Sequence, residues 1–402
     1  MSRSRKEMRK GLIKNKLFLK MMMGILHKPA FKKLNITTDY YTPKHDTYIV
    51  ISNHTDALDP GILMCGFNNS YIRFVASDHV TRSGLLGWVI KNLGGVIVKR
   101  RSNPPEVLIN DILDTVKADI PVGIFAEGST SFNGETGYIS PNTGKMVKDS
   151  GVALITYRLT GGYLRSSRWT KKTKVGPVHG RVVNEYSPEE IAKMSVDEVN
   201  EIIRRDTYVN AFEEQRKNPK TYTGEDLAEY LERILFVCPH CKSMGNLHSK
   251  GDNFKCDACG YNVNYGTDAF FHSDDNEVVF DNVLDWDKWQ REIWKAHVLS
   301  KGDGELIFED KGQIVREIQE DKKIPVADNA SVKLYKDRFV ITLDDGKEVE
   351  MFIKNITRVW VAAWDSFIVV DDKHYFDIST HIPRAAIKYV AAWRYLRGAE
   401  FY

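Results

Sequence analysis

Residues 48–60 read Tyr48-Ile49-Val50-Ile51-Ser52-Asn53-His54-Thr55-Asp56-Ala57-Leu58-Asp59-Pro60. A run of apolar, β-branched residues breaks at once into a polar stretch, the pattern of a strand buried on both faces that ends in a turn. The same pattern recurs at 71–76, 95–98 and 122–125, each run rich in Val, Ile or Phe. Between these strands, segments 61–67, 83–92 and 104–117 read as helices, the last opened by Pro104 and Pro105. Strands alternating with helices predict an α/β domain with a largely parallel sheet. Such sheets bind ligands at the carboxyl ends of their strands.

Three strand ends carry chemistry. After 48–52 come His54 and, five residues on, Asp59. A carboxylate accepting from the imidazole Nδ1–H fixes the tautomer and leaves Nε2 free to take a proton from a hydroxyl. Spacing alone leaves Asp56 as a rival partner, and leaves open a loop whose polar residues merely cap the next helix. The second strand end runs Gly94-Gly95-Val96-Ile97-Val98-Lys99-Arg100-Arg101, an apolar stretch closing on three cations. Arginine clamps phosphate through paired charge-assisted bonds, and lysine acts as a point charge. A solvated charge run is the plainer reading of that stretch taken by itself. The third is Phe125-Ala126-Glu127-Gly128-Ser129-Thr130-Ser131. There Glu127 is suited to accept from a substrate hydroxyl, and Gly128 lets a ligand approach the backbone. A base, a phosphate clamp and a hydroxyl acceptor on one sheet edge describe acyl transfer to a phosphate-bearing alcohol.

In this order and spacing, the motifs resemble those of the glycerolipid acyltransferases typified by 1-acylglycerol-3-phosphate acyltransferase. Asn53, His54 and Asp59 match an NHxxxxD pattern. Gly94 and Arg100 match a glycine followed six residues later by arginine. Phe125, Glu127, Gly128 and Ser131 match FPEGTRS. The resemblance covers roughly residues 35–180. It departs at Ala126, where the family has proline, and at Ser129-Thr130, where it has Thr-Arg; Lys99 or Arg101 is then the candidate to replace the missing cation. Its fourth, proline-bearing strand is represented at best by Leu154–Tyr157. The resemblance implies a glycerol-phosphate-acyltransferase-like mixed sheet flanked by helices, with His54 as base and Asp59 as its partner. Arg100, Arg101, Glu127, Gly128 and Ser129 form the implied acceptor-binding set. The implied donor is acyl-coenzyme A or acyl-carrier protein, the acceptor is a lysophospholipid, and no acyl-enzyme is required. A base that must be neutral predicts activity falling below about pH 6–7, near the ordinary histidine pKa.

Downstream, Ser187 and Glu190 form a capping-box signal, and 196–205 and 224–235 read as helices. Cys238-Pro239-His240-Cys241 and Cys256-Asp257-Ala258-Cys259 lie fourteen residues apart. Two CxxC knuckles at that distance read as a four-thiolate structural Zn2+ ribbon in a reducing compartment. Gly245 and Gly260 suit its tight turns; His240 and His248 are read as surface residues, and the fifth cysteine, Cys65, as a small core residue. After a helix at 283–300, alternating strands at 332–335, 338–343, 349–353, 359–362, 367–370 and 374–376 precede a last helix over 384–396. That pattern resembles a pleckstrin-homology or GRAM-like module, a small antiparallel β module closed by a helix. The expected organisation is therefore a basic arm (1–34), an acyltransferase domain (35–235), a zinc ribbon (236–265) and a helix with its β module (280–402).

The net charge of +3 conceals an uneven distribution. Residues 1–34 hold eleven Lys/Arg and one acid, Glu7, leaving 46 basic and 53 acidic residues for the remainder. The apolar run Leu17–Leu26 inside this arm is too short to span a bilayer. It reads as an interfacial helix drawn to an anionic membrane surface, or as a helix packed on the protein's own body. The expected location is cytoplasmic, peripheral on the cytoplasmic membrane face. A nucleic-acid-binding zinc ribbon with a basic arm is the competing class. The ribbon's near-neutral loop disfavours it, with Lys242, Lys250 and Lys255 offset by Asp252 and Asp257. A third class is a lipid-binding scaffold that kept the fold without the chemistry.

Overall fold

The computed structural model describes residues 30–67, 70–77, 87–88, 90, 95–100, 104–275, 277–319, 322–363 and 366–399. The arm as far as residue 29, most of the helix expected at 83–92, Gly94 and Arg101 lie outside the described residues. The chain divides into two units, one built on residues up to Ser167 and 173–223, the other on 168–172 and from Gly224 onward.

The first unit holds strands β1 (Ile36–Thr38), β2 (Tyr48–Ser52), β3 (Arg73–Ser77), β4 (Ile97–Lys99), β5 (Val122–Phe125), β6 (Ala153–Thr160) and β7 (Val178–Tyr186). Its main helices are α1 (Asp59–Gly66), α2 (Pro105–Lys117), α3 (Asn142–Ser150), α4 (Pro188–Lys193), α5 (Val196–Thr207) and α6 (Ala211–Lys217). The strands form one mixed sheet in the order β1-β7-β6-β2-β5-β3-β4. Every neighbouring pair is parallel except β6 and β7, which are antiparallel. Alternation sorts β2 between two cores, since successive side chains leave a strand on opposite faces. Tyr48 and Val50 join Ile62, Leu63 and Phe67 on one side, and Ile49 and Ile51 join Ile112, Val116, Val147 and Ile203 on the other. Both faces are covered, which is why β2 is apolar throughout.

Register brings the strand ends level. Ser52 pairs with Phe125 and with Tyr157, and Ser77 with Lys99. The turns that follow β2, β4, β5 and β6 therefore leave one edge of the sheet. The predicted Ser187 cap is present and a second is found at Ser195: Ser187 and Ser195 accept from the amides of Glu190 and Glu198, and those glutamates bond back to the cap amides.

The second unit contains β8 (Leu247–Lys250), β9 (Asn253–Cys256), β10 (Asn262–Tyr265) and β11 (Phe271–His272), an antiparallel sheet in the order β11-β10-β9-β8. Helix α7 (Val283–Ser300) follows. Then come β12 (Phe308–Gln319), β13 (Lys322–Leu334), β14 (Arg338–Thr342), β15 (Glu348–Phe352), β16 (Arg358–Ala363), β17 (Ser366–Val370), β18 (Tyr375–Thr380) and the closing helix α8 (Ile387–Leu396). These last strands form an antiparallel sheet in the order β15-β14-β13-β12-β18-β17-β16. Tyr389 of α8 stacks on Phe367 with centroids 4.6 Å apart. Beneath it, buried Asp310 accepts from Lys388 (2.5 Å), Arg384 (2.8 Å) and the Tyr389 hydroxyl (2.9 Å).

One expected helix is absent. Of residues 224–235 only Leu231–Arg233 are helical, as a single 3-10 turn. The amides of Leu227, Ala228 and Tyr230 bond instead to Asp252, Gly251 and Ser249 of the β8–β9 hairpin. Asp226 and Tyr230 also adopt positive φ, which no continuous helix accommodates. Strands β1, β7 and β12 were not anticipated. β1 pairs with distant β7, and β12 pairs both with adjacent β13 and with distant β18.

Candidate active site

His54 is the second residue after β2, and Asp59 is the first residue of α1. The His54 Nδ1 lies 2.8 Å from Asp59 Oδ2. Asp59 is fully buried and meets three further donors: the amides of Thr55 (2.5 Å) and Asp56 (2.9 Å) and the Thr55 hydroxyl (3.1 Å). Four donors match the acceptor capacity of an ionised carboxylate. A partner that only accepts requires the proton on Nδ1, so Nε2 carries the lone pair. The imidazole is about one-fifth exposed and stacks on Phe125, centroids 4.4 Å apart. It is thus fixed on two sides and open to solvent on its remaining face.

Asp56 is not the histidine's partner. Its Oδ2 pairs with buried Arg165 at 2.5 Å, and its Oδ1 accepts from the Leu58 amide at 3.0 Å. Burial raises the Asp56 carboxyl, while the Leu58 amide and Arg165 lower it. Arg165 lies 109 positions away, beyond any spacing argument. Asn53 serves as a pin: its side chain donates to the Leu159 carbonyl (2.9 Å) and accepts from the Leu159 amide (2.8 Å), joining the end of β2 to β6.

Glu127, expected to accept from a substrate hydroxyl, also accepts from two main-chain amides. One oxygen accepts from the His54 amide at 2.7 Å, the other from the Gly137 amide at 2.6 Å. Its carboxyl therefore ties the β5 turn to the histidine's backbone and retains only one lone pair on each oxygen. Burial pushes it up to about 7, opposed by those two amides and by His54. Ser131 is also structural. Its amide donates to the His54 carbonyl (2.8 Å), and its hydroxyl donates to the Glu135 carbonyl (2.7 Å).

Gly128 adopts φ +73°, a conformation costly for side-chain-bearing residues. The Lys99 ammonium lies 3.7 Å from where its Cβ would stand. The end of β4 and the turn after β5 thus meet. Arg100 follows β4 and is exposed, as is Ser129. Arg101 lies outside the described residues.

In the second unit the sulfurs of Cys238, Cys241, Cys256 and Cys259 all lie within 4.8 Å of one another. Sγ separations are 3.7 Å for Cys238–Cys259 and 3.9 Å for Cys241–Cys256. Zn–S bonds of about 2.3 Å in a tetrahedron place sulfurs roughly 3.8 Å apart, so the four thiols match that ion's geometry. The knuckles close through Lys242 N to Cys238 O (3.0 Å) and Gly260 N to Cys256 O (2.9 Å). His240 stands on the Tyr261 ring and His248 faces Asp257, so neither belongs to the cluster.

Residues 33–160 match the Acyltransferase family model, a span that includes His54, Asp59, Arg100 and Glu127. None of the curated proteins matches the chain. Among solved structures, the 1-acyl-sn-glycerophosphate (LPA) acyltransferase PlsC from Thermotoga maritima is similar at 17% identity over 54% of this chain and 84% of its own, with a TM-score of 0.39. The Vps36 N-terminal PH domain is similar at 13% identity over 23% of this chain and 80% of its own, with a TM-score of 0.21.

Proposed function

We propose, for a chain whose residues 33–160 form an Acyltransferase-family domain, that it moves a fatty acyl group from a thioester donor to the hydroxyl of a lysophosphatidic-acid-like acceptor in phospholipid synthesis. The observation that carries this reading is the His54–Asp59 contact at 2.8 Å, with Asp59 buried and Nε2 left as the basic atom. Nε2 takes the acceptor's hydroxyl proton as that oxygen attacks the thioester carbonyl. The tetrahedral intermediate expels the donor's thiolate, which recovers the proton from the imidazolium. Asp59 stabilises the imidazolium between these steps.

Arg100, Lys99 and Arg101 supply positive charge for the acceptor's phosphate. Gly128 leaves backbone room beside Lys99, with Ser129 next to it, and Glu127 sets the histidine's height above the sheet. General-base assistance accounts for about 10²–10⁴-fold, and positioning supplies much of the rest. The donor is acyl-coenzyme A or acyl-carrier protein. Four thiolates close the coordination shell of a bound Zn2+, so the ribbon's role is structural. The basic arm places the enzyme on an anionic membrane surface, peripheral to the cytoplasmic face. No described helix is long and apolar enough to cross a membrane.

The test is incubation of the purified chain with lysophosphatidic acid and each donor, with phosphatidic acid followed by mass. Product from the native chain and none from folded His54→Ala is the expected result. Absence of product from native, zinc-loaded protein with either donor would remove this acceptor assignment.

A further inference from the structure

The loop bearing His54 is held by a segment more than a hundred residues away. After β6 the chain turns through Gly161 and Gly162 to Arg165. A Cβ on Gly162 would stand 2.1 Å from the Thr55 hydroxyl, so only a bare Cα lets the turn close on the loop. Three positions on, Arg165 reaches Asp56. Asp56 in turn is bonded to Asp59 in both directions: its amide donates to Asp59 Oδ2 (2.9 Å), and its carbonyl accepts from the Asp59 amide (3.1 Å). Any displacement of Asp56 is therefore passed to the carboxylate that orients His54.

The pair is a poor stability device. Buried ion pairs are commonly no better than well-packed apolar residues of the same volume. Here the guanidinium's buried Nε has no hydrogen-bond partner among the described residues, a further cost. Arg165 is nevertheless well fixed, its amide on the Gly161 carbonyl (3.0 Å) and its carbonyl on the Lys174 amide (2.9 Å). An anchored, under-satisfied cation aimed at a carboxylate of the turn between His54 and Asp59 suits positioning better than cohesion.

We infer that Arg165 is a positioning residue for the His54–Asp59 pair, acting through Asp56. Its consequence for turnover rests on the acyl-transfer reading; the arrangement itself is readable without turnover. Free imidazole favours the Nε2–H tautomer, whereas Asp59 holds His54 as Nδ1–H. The ratio of the two, read from ring ¹⁵N shifts of histidine-labelled full-length protein and assigned with His54→Gln, reports the dyad directly.

In the native chain at neutral to alkaline pH, Nδ1–H dominates. In Arg165→Met and in Asp56→Ala, whose main-chain amide remains, the ratio moves toward Nε2–H. If the reading of function also holds, kcat falls by roughly the 10²-fold at the low end of general-base assistance, and KM for the acceptor stays near native. A role in stability alone would lower the melting temperature and leave the ratio unmoved in the folded protein. A native ratio in either folded variant overturns the inference. Absence of turnover in the native chain, with the tautomer shifting in the variants, overturns the functional reading and leaves the positioning role standing.

Discussion

Glu127 joins two main-chain amides that belong to different turns, and burial holds its proton to about 7 instead of the ordinary 4.5. The folded chain thus binds more protons at this group than the unfolded chain between those values. Its contribution is fully present below about 4.5 and is lost as pH rises through about 7. Glu127→Gln does not titrate. Across that window the native chain should lose up to about 3 kcal/mol of stability relative to the variant, read as the change in the difference between their urea midpoints. An invariant difference would place Glu127 in a more solvated setting. Gly162→Ala tests the neighbouring contact. Its methyl displaces the Thr55 hydroxyl from Asp59, so thermal unfolding should show a loss of about 1–3 kcal/mol, the usual cost of overpacking, and activity should fall with it.

Helix α5 illustrates how a local signal supports a distant core. Ser195 and Glu198 satisfy two of its first amides, and Val199 and Ile203 press on the face of the sheet that Ile49 and Ile51 share. Ser195→Ala should cost about 1 kcal/mol in denaturant unfolding, with the midpoint shifted and the slope unchanged. The cysteine ribbon is held differently. Trp286 and Gln290 of α7 bond the main chain of 234–237, and the four knuckle sulfurs gather at one point. One zinc per chain is expected by elemental analysis. Cys238→Ser or a strong chelator should remove it and raise hydrogen exchange across 236–265, because metal affinity is folding free energy in such modules. Unchanged zinc content and exchange in Cys238→Ser would sink the assignment.

At the scale of the whole molecule the charge division is the main feature: eleven Lys/Arg in the first 34 residues on a chain otherwise acidic in balance. Removing residues 1–29 should weaken binding to vesicles containing anionic lipid, by up to about 1 kcal/mol for each basic residue that reaches the surface. The native affinity should fall steeply with salt. Co-sedimentation at low and high ionic strength measures both, and equal binding by the truncated chain would exclude the arm as the membrane contact.

Much of this was legible because it is local. Strands β2 and β5, helices α1, α2, α5 and α7, the Ser187 capping box and the four cysteines announce themselves within a few residues, where periodicity, capping chemistry and ligand spacing operate. His54 and Asp59 are also local, five residues apart on one turn. The missed features involve distance along the chain. Residues 224–235 have a helical pattern, yet the amides of Leu227, Ala228 and Tyr230 find better acceptors in a hairpin 19 to 25 positions on. Glu127 gives no local sign that it also accepts from the His54 and Gly137 amides. Asp56 competes with Asp59 for the histidine until β6 delivers Arg165. The sequence by itself determined which side chains carry charge, sulfur and imidazole, and which runs must be buried. Only the tertiary structure decided which carboxylate meets the histidine. That choice depends on which buried charges can be paired, and the pairing is set by strand register.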